Sequence, residues 1–181
     1  KWDEPTVLKD PEKYALTGNL TISAKIRTRQ PVADIVSKYD WRGKQRSYVF
    51  GIGGEADRDG IPGHLFFWVS SRAETFNGIT VYGSQPINDG EERQVAVEFA
   101  AGKSVRLFVD GIEDKAVRLK GKVPSFIAKS DRPLAIGSGY DGSPGATAYR
   151  FEGELSEVRI RDRALGDELS IGRAGDKVAA L

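Results

Sequence analysis

The stretch Phe151-Glu152-Gly153-Glu154-Leu155-Ser156-Glu157-Val158-Arg159-Ile160-Arg161-Asp162-Arg163-Ala164-Leu165 reads as a closing β-strand that runs straight into a short turn. Upstream of it, the dominant hydrophobic period is two. Leu20, Ile22, Ala24 and Ile26 alternate with Thr21, Ser23, Lys25 and Arg27, so one face of that segment faces a core and the other faces water. Val95-Val97-Phe99 and Val105-Leu107-Val109 repeat the alternation. Many short segments of this kind, separated by Gly, Pro, Asn and Asp, predict an all-β chain: an antiparallel two-sheet sandwich with little helix. Asp110-Gly111 and Asn88-Asp89-Gly90 are both expected to be hairpin turns, because glycine and Asx residues tolerate positive φ. Helix is expected only in the first 15 or so residues and after Gly166, where Asp167-Glu168-Leu169-Ser170-Ile171 could start one.

Two segments break the alternation. Tyr48 to Ile52 and His64 to Val69 are apolar at successive positions, so both faces of each strand avoid water. Either loops cover the outer face, or its aromatics form a ligand platform.

The 181 residues suffice for one sizeable core, which favours a single domain over residues 18–181 behind a lead-in at 1–17. Lys and Arg total 27 against 26 Asp and Glu. That balance carries no signal for nucleic acid. With no cysteine there is no disulfide, thiolate metal ligand or cysteine nucleophile, and the single histidine, His64, leaves no multi-histidine zinc site. The absence of methionine and the start at Lys1 suggest a piece of a longer protein. No run approaches the roughly 18 apolar residues of a membrane-spanning helix.

The opening stretch closely resembles the C-terminal signature of the laminin G-like, concanavalin A-like jelly rolls, F-x-G-x-[IL]-D-E-V-R-I-Y-x-R-A-L. Gly18 to Arg27, Asp34 to Asp40, Asn88 to Val97, Val105 to Gly111 and Pro133 to Gly137 resemble further blocks of that family in its own order. The resemblance implies a non-catalytic module of a larger extracellular, periplasmic or cell-surface protein. Carbohydrate is the implied ligand and the parent's other domains are the implied partners; a protein–protein or architectural module without sugar binding is the alternative. Glu92-Arg93 stands where the family commonly has Trp-His. Ser156 stands where an aspartate often serves a structural calcium, an ion that takes about six to eight oxygen ligands. If a rim calcium is bound, Asp40 and Asp141 are its expected carboxylates.

Sugars offer apolar C–H faces to aromatic rings and hydroxyls to polar side chains. Three loops carry both types, and the candidate ligand residues are Tyr39, Trp41, Arg42, Arg46, Phe76, Tyr140, Asp141, Tyr149 and Arg150. Glu152, Glu154 and Glu157 loosely imitate the E-x-D-x-x-E row of glucanases on this fold. Retaining enzymes need two carboxyl groups about 5–5.5 Å apart. Here the central aspartate and the flanking apolar pattern are missing, so the row is expected to be a solvated strand face and the chain not an enzyme. Gly137 to Gly145 reads as a loop rather than a phosphate cradle, and Asp57-Arg58-Asp59-Gly60 as an acidic turn.

Overall fold

The computed structural model of the chain describes residues 6–8, 10–40, 42–54, 60–140 and 147–166. The alternating segments form β1 (Thr6–Leu8), β2 (Leu20–Arg27), β3 (Ala33–Asp40), β4 (Gln45–Gly53), β5 (Ile61–Ser70), β6 (Gly78–Pro86) and β7 (Arg93–Ala100). They continue as β8 (Ser104–Val109), β9 (Ile112–Asp114), β10 (Arg118–Gly121), β11 (Leu134–Ile136), β12 (Gly139–Tyr140), β13 (Thr147–Ala148) and β14 (Glu154–Arg161). A seven-stranded sheet has the order β1-β11-β3-β4-β5-β6-β10, and a five-stranded sheet the order β14-β2-β7-β8-β9; β12 and β13 pair separately. Neighbouring strands are antiparallel, and no described residue lies in an α-helix. The expected sandwich is what the chain forms.

The core lies between the sheets. Leu20, Ile22 and Ile26 of β2, Val95, Val97 and Phe99 of β7 and Leu107 of β8 meet Tyr48, Phe50 and Ile52 of β4, Leu65, Phe67 and Val69 of β5 and Ile79 and Val81 of β6. Register aligns Ile160, Ile22, Val97 and Leu107 in one row across the five-stranded sheet. Phe67 reaches Phe99 across the sandwich with ring centroids 6.3 Å apart. Each such side chain contributes about 1.5–3 kcal/mol on leaving water. The Tyr48 hydroxyl donates to the Tyr14 carbonyl at 3.3 Å, and burial pushes its pKa up, so it stays a donor.

The predicted turn at Asp110-Gly111 links β8 to β9: both residues have positive φ, 52° and 78°, and Val109 pairs with Ile112. Asn88-Asp89-Gly90 is not a hairpin. It joins β6 to β7, which belong to different sheets, so the chain crosses the sandwich there. Local chemistry alone does not separate the two cases: Asp89 accepts from the Glu91 N–H and Gly90 takes φ 88° in a crossover as readily as in a hairpin. The first 15 residues also differ from the helical expectation. Thr6–Leu8 pairs with β11, residues 11–14 form a turn, and Tyr14 enters the core. Within the expected lead-in, β1 and Tyr14 are therefore joined to the sandwich. The helix expected after Gly166 and the acidic turn at residues 57–59 lie outside the described residues.

The two doubly apolar strands are buried on both sides. Their outer faces, with β6, supply a second cluster of Val49, Phe66, Trp68 and Tyr82, against which Tyr39 and Ile61 pack. Trp68 is only 9% exposed and Phe66 only 2%. Coverage rather than an open platform is what these strands show.

Candidate functional site

An aromatic ladder runs from the outer face of the seven-stranded sheet to its rim. Tyr39, at the end of β3, meets Trp68 of β5 edge-on at 4.9 Å, and Trp68 stacks on Phe76 at 5.0 Å with planes 29° apart. Exposure rises along the ladder, from the buried Trp68 to Phe76 at 41%. Phe76 belongs to the loop between β5 and β6, and that loop is tied down. Buried Ser70 accepts the Arg72 and Asn77 N–H groups at 3.1 and 3.0 Å and donates to the Arg72 carbonyl at 2.8 Å. Ser71 N–H donates to the Asn77 carbonyl at 2.9 Å, closing the loop's neck. Arg46 clamps the loop from β4, its Nη1 donating to the Ala73 and Glu74 carbonyls at 3.3 and 2.5 Å. In this arrangement the Nη1 group of Arg46, one of the expected ligand residues, holds the loop's backbone.

Beyond Phe76 opens a groove of about 610 Å³ between residues 71–78 and 121–126. Where β10 pairs with β6, Gly121 stands opposite Ile79 and beside Gly78. Gly121 has φ 101°, and a Cβ there would overlap the Gly78 carbonyl, while Lys122 N–H donates to that same carbonyl at 2.9 Å. Arg72 and Lys122 bring positive charge, Phe76 and Phe126 bring exposed rings, and among the described residues no Asp or Glu lines the groove. Lys122 and Phe126 went unnoticed in the sequence. Gly121-Lys122-Val123-Pro124-Ser125-Phe126 nevertheless has the same mix of turn residues, cation and ring that marked the other loops.

Asp40 does not suit calcium. It is fully buried, its Oδ1 accepts the Gly43 N–H at 2.8 Å, and its Oδ2 meets Arg132 Nη2 at 2.5 Å. A guanidinium already neutralises the carboxylate, and a dication would have to displace it. At Ser156 the register partner is Lys25, again a cation rather than a further oxygen. No group of three or more His, Cys, Asp or Glu suited to a metal occurs among the described residues. Asp141 and Trp41 lie outside them. Beside Asp40, Lys38 is also wholly buried; its Nζ donates to the Pro11 and Arg132 carbonyls at 3.1 and 2.6 Å, and burial pushes its pKa down to about 8.

The remaining candidates divide by position. Arg42 is exposed in the turn between β3 and β4, near the ladder's end. Tyr140, Tyr149 and Arg150 belong to the opposite end of the sandwich: the Tyr149 carbonyl accepts from the Asp34 N–H at 2.9 Å, and the Arg150 carbonyl from Gln30 at 3.1 Å. Asp34 and Tyr39 lie near opposite ends of the eight-residue β3, so the two sets are on the order of 20 Å apart. They do not form one site.

Two of the three glutamates of the closing row are taken up by ion pairs. Glu154 pairs with Arg27 at 3.2 Å and Glu157 with Lys25 at 2.7 Å. A register shift between Ser156 and Arg159, with Glu157 at φ 49°, turns the row away from a regular ladder. The hydrogen bond from Lys25 holds the Glu157 carboxyl below the usual range, the reverse of what a general acid needs. His64 Nδ1 lies 3.0 Å from the Gly83 carbonyl, as a capped structural histidine would.

A family model described as the concanavalin A-like lectin/glucanases superfamily matches residues 6–168. No curated protein matches in sequence. Among solved structures, a putative carbohydrate binding protein from Bacteroides ovatus superposes with a TM-score of 0.65 at 13% identity, over 92% of this chain and 44% of that one. The CBM40 module of Ruminococcus gnavus IT-sialidase, bound to α2,3-sialyllactose, gives 0.62 at 18% identity over 92% and 90%. Domains LG4-5 of the mouse laminin α1 chain give 0.61 at 18% identity over 91% and 40%. The chain thus spans less than half of the Bacteroides and laminin chains, and at these identities the likeness concerns the fold.

Proposed function

The chain belongs to the concanavalin A-like lectin/glucanase superfamily, and from that premise we propose that it is a non-catalytic binding module for carbohydrate, carried by a larger extracellular, periplasmic or cell-surface protein. The observation that supports this most is the ladder from Tyr39 through Trp68 to the exposed ring of Phe76, held by a loop that is already ordered. A ring fixed in place stacks on a sugar's C–H face without first losing rotamer freedom, which keeps the cost of binding low. The sialidase module and the Bacteroides protein, which share the fold, are named for carbohydrate binding. The ion pairs of Glu154 and Glu157 favour a binding role over glycoside hydrolysis.

The test is a glycan array with affinity electrophoresis of the wild type, Phe76→Ala and Tyr140→Ala. Retention by the wild type that Phe76→Ala lowers at least tenfold, and Tyr140→Ala leaves in place, is the expected result. A wild type that retains no glycan overturns the reading. It would favour a docking module instead, for which one observation speaks: Ile112 of edge strand β9, Leu119 of edge strand β10 and Val117 in the connection between them are 72%, 62% and 59% exposed.

A further inference from the structure

We infer that the groove between residues 71–78 and 121–126 takes a carboxylate-bearing pyranose, so that the module selects acidic over neutral saccharides. This rests on the carbohydrate reading and adds the ligand class and the subsite. Two exposed cations, Arg72 and Lys122, line the groove, and among the described residues no acidic side chain does. That imbalance is local, because the whole chain is close to neutral. On the five-stranded sheet, by contrast, lysines and arginines stand next to glutamates that satisfy them.

A guanidinium matches a carboxylate with two parallel hydrogen bonds, and an ammonium adds a point charge. Phe76 and Phe126 supply apolar surface for the C–H face of the same ring or its neighbour. A Cβ on Gly121 would overlap the Gly78 carbonyl, so the backbones of β6 and β10 lie close together beside the groove. A carboxylated sugar uses both the cations and the rings. A bare inorganic anion would use only the first, and a neutral sugar only the second.

The experiment is isothermal titration of the wild type with an oligogalacturonate and with its carboxyl-reduced counterpart of equal length, at low and physiological salt. The acidic oligomer is expected to bind at least tenfold more tightly, by a margin that shrinks as salt screens the exposed cations. Arg72→Gln and Lys122→Gln each narrow the margin severalfold, and the double variant removes it while still binding the reduced oligomer. Both positions are exposed, so an unchanged thermal midpoint is expected to show that the variants remain folded. Equal binding of the two oligomers overturns the inference and leaves the carbohydrate reading standing, as does a margin that survives the double variant. Binding of neither oligomer, nor of any glycan on the array, removes both.

Discussion

The outer faces of the two sheets are built on opposite principles. On the five-stranded sheet, charges from neighbouring strands answer one another: Lys25 with Glu157, Arg27 with Glu154 and Glu92, and Arg106 with Glu98 and Glu113. On the seven-stranded sheet the corresponding layer is Val49, Phe66, Trp68 and Tyr82, with Tyr39 and Phe76 against Trp68. A face whose charges are mutually satisfied has little left for a ligand, whereas the aromatic face ends at a groove whose cations have no acidic neighbour among the described residues of its lining. The glutamate row that imitates a glucanase lies on the first face and the proposed subsite borders the second.

The sharpest way to break this contrast is Trp68→Ala. If the aromatic layer is a packed second core, removing its central ring costs about 4 kcal/mol in urea unfolding; a loss below about 1 kcal/mol would mean that the layer is only surface. A smaller effect, on the order of 2 kcal/mol, is expected from Lys38, which the seven-stranded sheet buries although, among the described residues, no carboxylate reaches its ammonium within hydrogen-bonding distance. Its folded pKa of about 8 lies below the 10.5 of a lysine in water. Between these values the unfolded chain holds the extra proton, so Lys38 raises stability as pH climbs from 8 towards 10.5. Subtracting the pH profile of Lys38→Met from that of the wild type isolates the slope, and two parallel profiles would contradict it. The smallest effect belongs to the charged face. Glu157→Gln and Lys25→Gln should leave the thermal midpoint at pH 7 within experimental repeat, since both side chains are about 40% exposed and solvent screens the pair. A clear drop for either would show that this face is held together by its ion pairs.

Much of the sandwich was legible because strand signals are local. Leu20 to Arg27 shows its two faces within eight residues, and Asp110-Gly111 declares a turn within two. Where a signal depended on a partner it was incomplete. Asn88 to Gly90 has turn chemistry but not the information that β6 and β7 belong to different sheets. Arg46 has the composition of a ligand-binding loop residue, and only the approach of Ala73 and Glu74 reveals a clamp. Glu154 and Glu157 look chemically available until the β2 register sets Arg27 and Lys25 beside them.

By itself the sequence determined an antiparallel sandwich and its family, since period-two burial and positive-φ turns are properties of neighbouring residues. Which charges stand unanswered was decided by tertiary structure alone. Arg72 and Phe76 come to face Lys122 and Phe126 because β10 pairs with β6, bringing Gly121 against Ile79 and beside Gly78. An electrostatic site depends on distances between segments far apart in the chain, and those distances exist only once the sheets have closed.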